Sequence, residues 1–363
     1  MANVFDYLAW RGDLSFEQSG FNDVDNLVLS LVSYIPFDGA IPEEPGRGVA
    51  LREAAKRFLE RRDAGEVVRV RRDLEFLLAV MDCPRYKDTR LSAYASQIDN
   101  DAEKQFAAFA AEIGPGLWYV AFRGTDNTLV GWKEDFNMSF LSPVPSQEEA
   151  CRYLERVAPG LPGELLLGGH SKGGNLAVYA ASYCSPEIQR RIKMVYNNDG
   201  PGFGAGVLES DGHQAVEERI RTFVPQTSVV GMLLEHEERY VVVHSTQAGF
   251  LQHDPYSWEV LGTQPVFLGE VSAECRFFDR TIKDWVVGMD EKQRQQFVDL
   301  LFDILSATDA QTLPELTANW YKNARAMLKS LLNLDDEMRS MLGRTLSLLL
   351  KSAKKNMREL KKA

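Results

Sequence analysis

Cysteine is sparse and dispersed in this chain. Cys83, Cys151, Cys184 and Cys275 make no C-x-x-C pair and have no histidine at metal-ligand spacing, which leaves reduced structural thiols and excludes a disulfide framework or a zinc site of the usual patterns. Long apolar runs are missing too. No segment approaches the ~18 uncharged apolar residues of a membrane span, and the start MANVFDYLAWRGDLSF lacks a basic stretch followed by an apolar core. A soluble, cytoplasmic protein is therefore expected. Basic residues are in deficit: 41 Lys and Arg against 52 Asp and Glu give a net charge of −11, which argues against nucleic acid as a partner. The end of the chain departs from this. From Gly343 to Ala363 stand Arg344, Lys351, Lys354, Lys355, Arg358, Lys361 and Lys362 against Glu359 alone.

Repeats and low-complexity segments are also lacking, and 363 residues at 45% hydrophobic content suffice for one large α/β domain with an appended piece, or for two domains. In FNDVDNLVLSLVSY, a cap at Asn22 or Asp23 precedes Val24, Leu27, Val28 and Leu31, the spacing of an amphipathic helix. A second helix is predicted from Val49 to Arg62, and a hairpin from Leu91 to Ile113, before Gly114-Pro115-Gly116 breaks the chain. Strands and helices then alternate: LWYVAF, ELLL, KMVYNN, RTFVP and RYVVVHS are strands with helical or irregular joins. That order predicts a mostly parallel sheet with helices on both faces. After about Phe277 strand signals cease and three helices follow, so the division expected is residues 1–277 and a C-terminal helical extension over 278–363.

The stretch LLLGGHSKGGNLAVYAA places Ser171 where a strand ends and a helix of small residues begins. A nucleophile held at positive φ on so sharp a turn brings backbone close on either side, so Gly169 and Gly173 stand where a Cβ would clash. The helix start also offers the Lys172 amide near the serine hydroxyl.

A second stretch, VAFRGTDNTLVGWKEDF, carries a resemblance. Phe122-Arg123-Gly124-Thr125, then Trp132 and Asp135, then Gly169-His170-Ser171-x-Gly173-Gly174 match in order and approximate spacing the class 3 lipases. The full chain, with NNDGPGF and QHDPYSW, looks more like an uncharacterised bacterial family of lipase-like proteins related to them. The resemblance implies an α/β-hydrolase fold, an oxyanion hole using Thr125 and a lid in the segment after it, with Leu129, Val130 and Trp132 as its apolar side chains. The alternative for Trp132 is plain core packing.

A serine nucleophile needs an imidazole and a carboxylate. His170 sits inside the elbow as a packing residue, His213 and His236 lie in polar surroundings expected at the surface, and His244 is within a strand. His253, just past the last strand where the resembling fold carries its histidine, is assigned as base. The acid departs from the class 3 pattern, because the nearest equivalent segment, TSVVGMLL, offers Ser228 and no carboxylate. Asp199, directly after the strand that follows the nucleophile strand, resembles the acid of pancreatic-type lipases; an Asp-Gly turn is the bland alternative, and Asp254 and Glu235 are weaker candidates.

The leading reading is a serine hydrolase of a carboxylic ester, lipid-like in one version, acting through an acyl-enzyme with no metal or organic cofactor. Its rivals are a catalytically silent binding or scaffold protein, favoured by the missing class 3 aspartate and the charge of Lys172, and an acyltransferase or thioesterase with the same triad. The basic tail is expected either to dock on the acidic body or to rest on anionic lipid.

Overall fold

The computed structural model describes residues 1–126, 128–138, 141–228, 230–231, 240–308, 310, 315 and 320–360. Helices α1 (Val4–Arg11) and α2 (Asp23–Val32) open the chain. The Asn22 side chain accepts the amides of Val24 and Asp25 while the Asp25 carboxylate accepts the Asn22 amide, a reciprocal cap that sets the start of α2. The short strand β1 (Val49–Ala50) then leads into α3 (Leu51–Leu59), so the helix predicted from Val49 to Arg62 is shorter at both ends. After α4 (Ala64–Val67) and α5 (Arg71–Met81), β2 (Arg90–Asp99) and β3 (Lys104–Gly114) form the expected antiparallel hairpin, with Ser96 opposite Ala107.

The alternating part runs β4 (Leu117–Phe122), α6 (Leu129–Asn137), α7 (Pro145–Val157), β5 (Glu164–His170), α8 (Lys172–Tyr183), α9 (Pro186–Arg191) and β6 (Ile192–Asn198). It continues through α10 (Ala205–Leu208), α11 (Asp211–Gln214), β7 (Ile220–Pro225) and β8 (Tyr240–Val243). The strands β9 (Val260–Leu261) and β10 (Gln264–Pro265) pair with each other, and β11 (Phe267–Leu268) joins the main sheet. That sheet has the order β1-β2-β3-β4-β5-β6-β7-β8-β11. Its central strands β4 to β8 are parallel, and antiparallel strands flank them on both sides.

Side-chain alternation along β4 builds a core on each face. Tyr119 and Ala121 pack with α2, α3 and α5, whereas Val120 and Phe122 pack with α7 and α8. Strand β5, which leads into Ser171, lies between β4 and β6, so its C-terminal end is fixed from both sides.

Beyond the sheet come α12 (Ala273–Val287), α13 (Glu291–Ser306), a helix at Trp320–Leu332 and the C-terminal helix Asp336–Leu360. The division expected at Phe277 falls inside α12, a helix the sequence reading did not separate. Its start is capped by the Ser272 hydroxyl, which accepts the Cys275 amide at 3.1 Å. The C-terminal helix packs on α12: Trp285 Nε1 donates to the Thr345 carbonyl at 3.0 Å, and Lys355 and Asn356 reach Asp284 at 2.9 and 3.0 Å. Among the described residues no helix is long and apolar enough to cross a membrane.

Candidate active site

Ser171 occupies the single residue between β5 and α8, with φ 58° and ψ −134°. A serine in that region stores on the order of 1–3 kcal/mol, which the surroundings must offset. Its amide donates to the Asn198 carbonyl at 2.9 Å, and Asn198 Nδ2 donates to the Gly169 carbonyl at 2.9 Å, tying the elbow to the end of β6. The glycines are required by space. A Cβ on Gly169 would stand 2.4 Å from the Gly173 carbonyl carbon, and one on Gly173 would stand 2.1 Å from the Phe122 carbonyl oxygen.

Asp199 follows β6 directly, buried and also at positive φ, with its amide donating to the Phe223 carbonyl at 2.8 Å. One carboxylate oxygen accepts the Ser228 hydroxyl, and the other accepts His253 Nδ1–H at 2.6 Å. His253 ends a 3₁₀ turn at Gly249–His253, and its Nε2 lies 3.0 Å from Ser171 Oγ. Because the carboxylate can only accept, Nδ1 carries the ring proton and Nε2 is left to receive the serine hydroxyl. Ser171, His253 and Asp199, far apart in the chain, thus form one hydrogen-bonded relay.

The segment holding His253 is itself fixed. His170 Nε2–H donates to the His253 carbonyl at 2.9 Å, and the Tyr34 hydroxyl donates to His170 Nδ1 at 2.8 Å. Burial, and then the neighbouring His253, hold His170 well below the usual histidine range, so it is neutral and serves as a strut. Trp258 Nε1 adds a bond to the Gln252 carbonyl at 2.9 Å. Tyr34 had no sequence signal, since it lies past the end of α2 with no motif around it.

Lys172 contributes differently from its side chain's appearance in sequence. Its ammonium is buried away from the serine, donating to the Gln105 carbonyl at 2.9 Å, Gln105 Oε1 at 2.7 Å and Glu134 Oε2 at 3.0 Å. Its backbone amide, as first residue of α8, stands outside the helix's internal ladder beside Ser171. Thr125 follows β4, and its hydroxyl donates to Asp135 Oδ2 at 2.5 Å. Burial pushes the Asp135 carboxyl up to about 6, opposed by Lys172, whose Nζ is 4.0 Å from Oδ1, and by the Thr125 hydroxyl.

The remaining candidates fall elsewhere. His213 is buried, 3.3 Å from the Ser182 hydroxyl, and not at the surface as its polar loop suggests, because Phe203 and α8 close over it. His244 Nδ1 pairs with Glu259 at 2.7 Å. Asp254 bonds the Tyr256 amide at 3.1 Å and Arg72 at 3.3 Å, away from the relay. Glu235, His236, Lys361 and Lys362 lie outside the described residues.

The Mbeg1-like family model matches residues 80–303, a span holding Thr125, Ser171, Asp199 and His253. The chain belongs to the Mbeg1-like family. No curated protein matches it. Among solved structures, the crystal structure of M37 lipase aligns at 13% identity with a TM-score of 0.34, over 57% of this chain and 67% of that one, an overlap too loose to define a fold.

In this Mbeg1-like chain a cavity of about 700 Å³ opens on Ser171 and His253. Trp132 lines it, together with Ile282, Trp285 and Val286 of α12. The lid segment expected at Leu129, Val130 and Trp132 is therefore divided. Leu129 and Val130 line a separate cleft with Phe302, and Val130 stands about 160° around α6 from Trp132. The apolar lining of the cavity is shared: Trp132 and Phe136 come from α6, and Ile282, Trp285 and Val286 from α12, whose 282, 285, 286 spacing is a helical stripe legible in sequence.

Proposed function

We propose that this chain hydrolyses a carboxylic ester carrying a lipid-like acyl group, through an acyl-enzyme on Ser171, within an α/β-hydrolase architecture. The observation that carries the reading is the relay Ser171 Oγ, His253 Nε2, His253 Nδ1, Asp199 Oδ2, at 3.0 and 2.6 Å, opening on a large cavity. The match of FRGT and GHSKGG to class 3 lipases supports it.

In the forward step His253 Nε2 takes the Ser171 proton as Oγ attacks the ester carbonyl, and Asp199 stabilises the imidazolium. The Thr125 and Lys172 amides receive the negative charge that develops on the carbonyl oxygen. His253 returns the proton to the departing alcohol, leaving the acyl group on Ser171. Water, deprotonated by the same nitrogen, then attacks the acyl carbon, releasing carboxylic acid and the free serine. The charge of Lys172, cited for a silent scaffold, is held by Glu134 and Gln105 and does not oppose this chemistry. In this reading Asp199, after β6, takes the role of the class 3 acid, whose own position after β7 holds Ser228.

The test is labelling by a fluorophosphonate probe, which reacts quickly only with an activated serine. The expected result is rapid modification of Ser171 and none in Ser171→Ala. A protein that stays unlabelled, with no turnover across a panel of acyl chain lengths, is a silent scaffold. Competition between water and added acceptors separates hydrolase from acyltransferase.

A further inference from the structure

The C-terminal helix Asp336–Leu360 uses one face to pack on α12 and leaves another uncovered. Met341, Thr345 and Asn356 are buried on the packed side. About a third of a turn further round, Leu346, Leu350 and Met357 are 45%, 71% and 49% exposed. Spacings of 4 and 7 residues put these three on one stripe of the helix, within about 40° of each other. Lys354 borders the stripe and Lys351 lies one step further round, with Arg344 beyond it. Among the described residues Arg344, Lys351 and Lys354 enter no ion pair, while Lys355, on the far edge, is held by Asp284.

An apolar stripe flanked by uncommitted lysines is unusual on a chain of net charge −11. Acidic protein surface of its own kind is already met by the inner edge through Lys355. What the outer face lacks is a surface that is apolar below and anionic above, which is the interface of an anionic bilayer. Lysines beside buried leucines suit it, since their stems follow the apolar layer while the ammonium groups stay at the phosphates.

We propose that the outer face of the C-terminal helix, through Leu346, Leu350 and Met357 with Lys351 and Lys354, is a docking surface for membranes carrying anionic lipid. The helix packs on α12, which carries Ile282, Trp285 and Val286 of the cavity lining.

The test is co-sedimentation of the full chain with phosphatidylcholine vesicles made with and without phosphatidylglycerol. Binding is expected only with phosphatidylglycerol present and falling with salt. Leu350→Asp and the double variant Lys351→Glu/Lys354→Glu should each weaken it by ~tenfold or more. Circular dichroism and turnover of a short soluble ester, unchanged in both variants, show that the fold and Ser171 are intact. Equal binding to both vesicle types, no binding by the native chain, or variants that bind like the native chain would overturn the inference. So would a dimer in solution that Leu350→Asp dissociates, because the stripe would then be a self-interface. Vesicle binding is read independently of catalysis, so an inactive but vesicle-bound protein separates this surface from the hydrolase reading.

Discussion

The hydroxyl of Ser228, after β7, donates to Asp199, after β6, while the same carboxylate receives His253 Nδ1–H at 2.6 Å. The position where the class 3 pattern would carry the acid thus holds a serine that supports an acid borne by the neighbouring strand. Asp199→Asn should lower kcat by up to ~10⁴-fold through loss of the correct tautomer. Ser228→Ala removes one hydrogen bond to a charged group and should cost ~tenfold or more. Asp254→Asn should leave kcat within about twofold, since surface pairs such as that with Arg72 contribute little. Steady-state kinetics on one ester checks all three, and a severe Asp254→Asn with a mild Asp199→Asn would reassign the acid.

Thr125 is predicted to act in the transition state. Its hydroxyl is engaged by Asp135 at 2.5 Å, which fixes the side chain at the end of β4 beside the cavity that holds Ser171. Thr125→Val should lower kcat by ~10²-fold with little change in KM, and Thr125→Ser, which keeps the hydroxyl, should recover most of it. A rise in KM alone would place Thr125 in substrate binding.

Asp135 makes a pH prediction. Burial holds its carboxyl at about 6, above the ordinary 3.8, even with Lys172 and the Thr125 hydroxyl pulling it down; Glu134 adds to the rise and His253 opposes it. Between those values the folded protein keeps a proton that the unfolded chain has lost, so this group's contribution to stability falls as pH rises through the window. Asp135→Asn removes that dependence. Denaturant titrations should show the variant gaining on the native protein between about pH 4 and pH 7; a constant difference would mean that Asp135 titrates normally.

The α12 wall should set acyl selectivity. Ile282→Trp fills part of the cavity and should lower kcat/KM for long-chain esters by ~tenfold or more while sparing short ones, because one methylene in an apolar pocket is worth about 1–3 kcal/mol. An unchanged chain-length profile would exclude α12 from the acyl site.

The alternating strands and helices of residues 117–243 were legible because each carries a local signal: β-branched and aromatic runs, small residues behind Ser171, a glycine pair where backbones touch. The convergence of Ser171, Asp199 and His253 was legible only because strand order and resemblance together imply that these strand ends meet. His213 misled because a polar loop in sequence folds under Phe203. The Tyr34–His170–His253 strut and the Thr125–Asp135 bond are contacts between distant segments with no periodicity to announce them. In α12 the stripe was present, but its charged neighbours hid the boundary that Ser272 sets.

Two members of the relay, Ser171 at φ 58° and Asp199 at φ 54°, sit where L-residues are disfavoured. The fold holds them there against local preference, which sets the relay's geometry and thermal resistance in opposition. Glycine at residue 171 would relax the turn by on the order of 1 kcal/mol while deleting the nucleophile. The Ser171→Gly protein, which lacks the proposed nucleophile, should therefore melt at a higher temperature than the native chain, and any campaign that selects this chain for heat tolerance alone will be drawn toward variants without the relay.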